Sequence, residues 1–470
     1  MKLFITICAL LLTVRAQAQF DSLRLEVGTI ATYATEDYQP LGSLTRRFGM
    51  VSDQKYDASS FVKFENTNKL GSNFSVNYGV SLFNNNQFKD VFIQEGFVKF
   101  NYKKLHLLAG REETTTGDIN HELSSGSLAL SNNARPIPQI RLMSDYINIP
   151  FTDSLFQFKF SVSHGWMEKN RIIQNPFLHE KSFYLKIGRE KLNFYGGLIH
   201  NALWSGVSPD GQMPNRFSDF LRITMGAPQA DDGTFTGVAQ NTNNALGSHM
   251  LVFDLGININ NQIGSIKLYT QSIFEKGTGS RTGRDKIRGF DLLTRDRLLG
   301  ASLANNDKEG FLQNITAEFL YTKYQGGEEI FVGRDNYYNN AIYTSGWTYQ
   351  GRILGTPLFL NQERAARYFE DSRNLANSEI VNNRIIAAHT GIKLRISNNI
   401  FTKTIATYTW NYGNYDNESA FAPVNKQLYL LQEINWKVSN TLTLDLGLAI
   451  DRGDMTNNLG GLIGVAYRIL

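Results

Sequence analysis

Cysteine is almost absent from this sequence: Cys8 is the only one. It lies in an N-terminal stretch that reads as a secretory signal. Lys2 supplies a short positive region, Leu3 to Val14 a run of apolar residues and threonines, and Ala16-Gln17-Ala18 a small-x-small cleavage site. Residues 1–18 are therefore expected to be removed. Ile7 stands before Cys8 where a lipoprotein signal needs a small residue, so no lipid anchor is read. The expected mature chain has neither a disulfide nor a thiolate metal site. Excess charge is lacking too. The formal balance is +4, and losing Lys2 and Arg15 leaves 4 − 2 = +2, no footprint for nucleic acid. No later segment approaches the roughly 18 apolar residues of a transmembrane helix. There is no H-E-x-x-H, G-x-S-x-G or phosphate loop.

What is present is β grammar. Forty glycines and 12% aromatics suit strands joined by many turns. Leu442, Leu444, Leu446, Leu448 and Ile450 alternate with Thr443, Asp445, Gly447, Ala449 and Asp451. Phe156, Phe158, Phe160 and Val162 alternate with Gln157, Lys159, Ser161 and Ser163. Successive strand side chains point to opposite faces, so each strand has one greasy face and one polar one. A soluble sandwich alternates likewise; strand length and connections decide. The runs of about 9 to 14 residues exceed the 5 to 6 usual in soluble sheets. Tight polar turns (Lys103-Lys104, Arg189-Glu190-Lys191, Ser397-Asn398-Asn399, Ser439-Asn440) alternate with long loops near 112–136, 203–248 and 325–383. That pattern predicts an all-β fold: one transmembrane antiparallel β-barrel over residues 19–470, of about 18 strands, with short periplasmic turns and long extracellular loops.

Catalytic candidates are thin. The seven histidines are scattered, and His121 lies in a serine-rich loop where a Ser-His pair competes with a solvated side chain. Asp231-Asp232 and Glu328-Glu329 are adjacent carboxylates on loops, which do not set the separation glycoside hydrolysis needs. No enzyme, cofactor or metal is expected. The aromatic, amide-rich segment Tyr337 to Phe359 stands out instead. Tyr343, Trp347 and Tyr349 could stack on sugar rings while Arg352 meets hydroxyls or carboxylates, or the segment could be a packed loop or an interfacial girdle.

An ordered set of motifs carries a resemblance. It runs through Leu123 to Arg141 (LSSGSLALSNNARPIPQIR), Gly197 to Trp204 (GLIHNALW), Phe217 to Arg222 (FSDFLR), Asn243 to Gly247 (NNALG) and Asn336 to Trp347 (NYYNNAIYTSGW). The set resembles the Wzi capsule-assembly family, particularly its Bacteroidetes-type members. The resemblance implies an 18-stranded barrel in the outer membrane of a Gram-negative bacterium. There it helps to assemble or attach capsular or extracellular polysaccharide as a non-catalytic, lectin-like binder. The family's best-known members also carry a small periplasmic helical bundle; Glu363 to Asn377 is the best helical candidate here, and it falls in an inferred external loop. Within the motifs, Asn133 and Arg135 could shape a loop folded into the lumen. His200, Trp204, Asp219 and Arg222 could form a polar network that closes the pore, or contact sugar. A porin or substrate-selective channel is the alternative function, with an outer-membrane hydrolase third. Polysaccharide and outer-membrane lipid are the expected partners, with a monomeric barrel and no nucleic acid.

Overall fold

The computed structural model describes residues 22–227, 246–275, 296–325, 335–369, 375 and 378–470. The expected signal and the pairs Asp231-Asp232 and Glu328-Glu329 lie outside them. The large sheet contains 19 hydrogen-bonded segments, but Ile147–Asn148 continues Gln139–Ser144 along the same neighbour, Phe156–Trp166. The wall therefore has 18 antiparallel strands. The first, Arg24–Ala34, pairs with the last, Asn458–Arg468, and this closes the barrel. Closure leaves no unpaired edge, the condition for a sheet to cross a bilayer.

The faces are inverted relative to a soluble sheet. In Leu442–Gly453, Leu446 and Leu448 are exposed, while Ala449 and Asp451 are buried. Val62, Val98, Leu142, Val162, Phe183, Leu198, Leu268 and Ile463 are likewise exposed on other strands and form an apolar outer band. Exposed Tyr102, Trp436 and Tyr467 lie beside the short turns, and Tyr33, Tyr56 and Trp166 at the opposite end. These are the two aromatic girdles of an outer-membrane barrel, and this chain is one.

The alternation of short turns and long loops is less strict than the sequence suggests. Tight connections also occur at the long-loop end, between Asn85 and Asp90 and between Gly453 and Asn458. A cysteine placed at Phe88 or Asp210, both exposed at that end, is expected to react with an impermeant maleimide on intact cells. One placed at Lys103 or Asn440 is expected to react only after permeabilisation. Labelling of the latter pair on intact cells would invert the topology.

Loops fill the lumen; among the described residues, 35–55, 112–138 and 335–369 are the main segments, with Met167, Met213 and Phe421 added from other loops. Within 35–55, the Leu41 amide donates to Asp451 Oδ2 (2.9 Å) and Arg47 pairs with Glu433. Within 112–138, Ser125 Oγ donates to Glu318 Oε2 (2.6 Å), the Leu128 amide donates to Gln271 Oε1 (3.0 Å), and His389 Nε2 meets the Leu123 carbonyl (2.7 Å). The partners belong to strands around the wall, so this loop crosses the bore. Residues 335–369 pack on it, with Tyr338, Trp347, Ile353, Leu354 and Phe359 in one buried cluster with Leu128 and Ala129. Of the long loop 203–248, Leu203 and Met213 join the buried lumen cluster and the Ser205 carbonyl accepts from Tyr343, but the helix Phe217–Met225 packs on the outer wall and does not enter the bore.

Candidate functional site

The plug leaves a cleft of about 260 Å³ at the external rim. Asn133 and Arg135 come from the 112–138 loop, Gln350 and Arg352 from the 335–369 loop, and Asp53, Asn86 and Asp90 from its far side. Arg352 is positioned by a two-residue hairpin in which Thr348–Tyr349 pairs with Arg352–Ile353. Both turn residues, Gln350 (φ 51°) and Gly351 (φ 74°), are left-handed, as a type I′ turn requires. A Cβ on Gly351 would lie 2.5 Å from Glu363 Oε2, a carboxylate tip that can swing aside, so the left-handed turn is what favours glycine here. Asn361 caps the helix Gln362–Tyr368 by accepting from the Arg364 amide (3.3 Å), and this helix brings Arg364 and Arg367 to the cleft.

The cleft carries a small positive surplus: Arg135, Arg352, Arg364 and Arg367 line it with Asp53, Asp90 and Glu363, four cations against three acids. Arg364 pairs with Asp53 (3.3 Å) and donates to the Gln39 carbonyl (2.9 Å). Arg135, Arg352 and Arg367 make no ion pair among the described residues. Arg352 donates to the Val51 carbonyl (2.7 Å), and the Arg135 guanidinium stacks 3.5 Å from the centre of the Phe92 ring. Burial, then the charge of Arg352, pushes Arg135 down to about 10. Burial also lowers Arg352, against the pull of Asp53. Arg135 therefore stays cationic at neutral pH, and an anion in the cleft would relieve its repulsion with Arg352.

Of the four residues expected to contact sugar, only Arg352 lines this cleft. The three rings lie in the plug: Tyr343 and Tyr349 are 2% exposed and Trp347 5%. Tyr343 donates to the Ser205 carbonyl (3.2 Å), Trp347 Nε1 to the Ala129 carbonyl (2.9 Å), and Arg111 donates to the Tyr349 hydroxyl (3.2 Å). Gly346 (φ 62°) and Tyr338 (φ 70°) turn the chain back on itself, so the segment is a packed core and not a strand presenting a shared face. His121 meets the Gly117 carbonyl (3.1 Å) and has no serine partner among the described residues.

His200, Trp204, Asp219 and Arg222 are brought to one place, but outside the barrel. His200 pairs in register with Lys181 and Leu251, on the same face as the exposed Leu198 and Phe183. The lumen face of these strands carries Tyr184, Tyr195 and Asp254, which hydrogen-bond one another and the 112–138 loop. Polarity suggested a lumen network; strand parity puts His200 and Trp204 on the outer wall. There His200 Nε2 meets His249 Nδ1 (2.7 Å), and Trp204 packs on Phe177, His164 and Phe220. Phe220 belongs to the helix Phe217–Met225, whose N-terminus Asp219 closes by accepting from the Arg216 amide (2.9 Å).

Asp53, Asn86, Asp90, Arg364 and Arg367 were not singled out from the sequence. The basic spacing within the 363–377 helical candidate was the available signal; the others reach the cleft from loops hundreds of residues apart.

Residues 35–457 match the family model for capsule assembly protein Wzi. Among solved structures, the chain resembles Wzi of Escherichia coli, a carbohydrate-binding β-barrel involved in group 1 capsule assembly. The TM-score is 0.58 at 12% identity, over 94% of this chain and 83% of that one. Pseudomonas aeruginosa OpdL gives a TM-score of 0.49 at 9% identity, over 95% and 98%. The Acinetobacter baumannii channel DcaP gives 0.41 at 9%, over 95% and 96%. No curated protein matches.

Proposed function

Since this chain belongs to the Wzi capsule assembly family, we propose that it serves capsule assembly by holding the cell's own capsular or extracellular polysaccharide at the outer surface, without catalysis, in the arginine-lined cleft. One observation carries the reading. Three guanidinium groups lacking an ion pair among the described residues line a polar cleft at the external rim, above a lumen filled by loops. Guanidinium forks match carboxylates and hydroxyls, and the surplus charge favours an acidic glycan. A single cleft of this size holds a short stretch of polymer. Repeated units and repeated barrels would raise retention through effective concentration. The channel alternative is disfavoured by the filled bore. Residues 1–18 are proposed to be the export signal, and the barrel to act as a monomer.

The test is a pull-down of the native glycan by folded protein at two ionic strengths. Arg367 is exposed, so Arg367→Ala removes a charge with little effect on packing. Arg352→Ala removes a half-buried one. Each variant is expected to lose about 1.5–3 kcal/mol of interaction with an acidic unit, as for other charge-assisted hydrogen bonds. The difference from wild type should shrink at high salt. Wild-type protein that retains no native glycan, or variants that bind equally at low salt, would remove the assignment.

A further inference from the structure

The helix Phe217–Met225 lies on the outside of the barrel wall, and we infer that it is an outer-leaflet anchor whose exposed stripe, Phe217, Leu221 and Met225, is seated among lipid acyl chains. Three observations place it there. Its buried side packs on outward-facing wall residues: Ile223 clusters with Ala202, Trp204 and Leu246, with Phe177 and Phe220 at the edge. This cluster is separate from the lumen core. Phe220 also touches His164 and His179, both on the outer face of their strands. Lys181, on that face too, donates to the Thr224 carbonyl at the end of the helix.

The height fits an interface. Strands rise about 3.3 Å per residue, and a tilt of about 40° lifts His200 roughly 20 Å and Trp204 roughly 30 Å above Leu192. The apolar band of such barrels is about 25 Å tall. Leu192, Phe194 and Leu198 are exposed below, and the helix covers the same face from His200 upward. The helix therefore sits at the upper margin of the band.

The stripe then has one consistent solvent. Phe217 is 74% exposed, Leu221 49% and Met225 80%, at the i, i+4, i+8 spacing of one helix face. In water this would be an uncompensated apolar patch. Beside a wall already bathed in acyl chains it continues the lipid-facing surface, as interfacial helices do. The helix also explains how histidines are tolerated on this face. His164, His179, His200 and His249 face outward, and bare imidazoles against hydrocarbon are unfavourable. The helix and Leu246 cover them.

Cys8 is the only native cysteine, so single spin labels can be placed at Leu221 or Met225 in a Cys8→Ser chain. The full protein is reconstituted in phosphatidylethanolamine–phosphatidylglycerol vesicles, and folding is checked by heat-modifiable gel mobility. Power saturation with oxygen and a nickel chelate should give labels at 221 and 225 an oxygen-to-nickel ratio comparable to that at Leu198. That ratio should be several-fold above the value at Lys103. A ratio at both sites like that of Lys103 would put the stripe in water and overturn the inference. So would spin–spin broadening that disappears on dilution with unlabelled protein, which would make a second copy the occupant.

Discussion

Leu446→Arg is expected to destabilise the barrel by about 2–4 kcal/mol, the range for a cation placed on the lipid face near the midplane. Leu446 is exposed on the outer face, between Ile434 and Ile463 on the neighbouring strands. It stands roughly 10 Å above Leu442 at the strand rise and tilt typical of these barrels, and therefore close to the centre of the band. A guanidinium there loses its hydration with no partner within reach. The adjacent Asp445→Asn is expected to cost much less. Asp445 faces the interior, where it accepts from Asn435 Nδ2 (2.7 Å), and an amide can keep a hydrogen bond at that site. Denaturant titration of folding into vesicles compares the two. Equal losses would remove the assignment of faces on this strand.

Trp347→Ala is expected to unseat the plug while leaving the wall standing. The indole is 5% exposed and donates to Ala129 across two loops. Truncating a buried Trp costs about 3–5 kcal/mol. The loss falls on packing between the 112–138 and 335–369 segments and touches no ladder bond of the barrel. In a planar bilayer, wild-type protein is expected to show little steady conductance. The variant should conduct more, while its gel mobility still shifts on heating. A variant as silent as wild type, or wild-type protein that conducts as an open pore, contradicts the plug. Glycan retention is also expected to fall in this variant, through disorder of Arg352 in the same segment and not through loss of a stacking ring.

The strands were legible because their code is local. Alternation with period two, and turns such as Arg189-Glu190-Lys191 and Ser439-Asn440, mark nearly every boundary along the chain. What alternation leaves open is which medium the greasy face meets. Leu446 and Leu448 would read the same in a sandwich; their exposure on the outer face of a sheet closed by Arg24–Ala34 on Asn458–Arg468 decides it. The site was less legible. Tyr343, Trp347 and Tyr349 look like a platform if their segment is a strand. The left-handed turns at Tyr338 and Gly346 fold it into a core instead, and its partners, Ala129 and Ser205, are distant in sequence. His200 and Trp204 misled through polarity. Their even-numbered spacing from Phe194 and Leu198 already placed them on the lipid-facing side, and the helix that makes this tolerable follows them in the chain. Arg352 and Arg135 were legible as residues, but not as neighbours, because only the packed plug brings their loops together.

The central claim is that this barrel holds surface polysaccharide on the cell. Its most direct test is to delete the gene and measure polysaccharide in the medium and on washed cells, with complementation by wild-type protein and by the Arg352→Ala, Arg367→Ala double variant. Loss of the barrel is predicted to move polysaccharide from cells to medium without lowering its total. Wild-type protein should restore attachment, and the double variant, folded and present at the surface, should restore much less. Polysaccharide that stays cell-bound in the deletion, or full rescue by the double variant, would contradict the account.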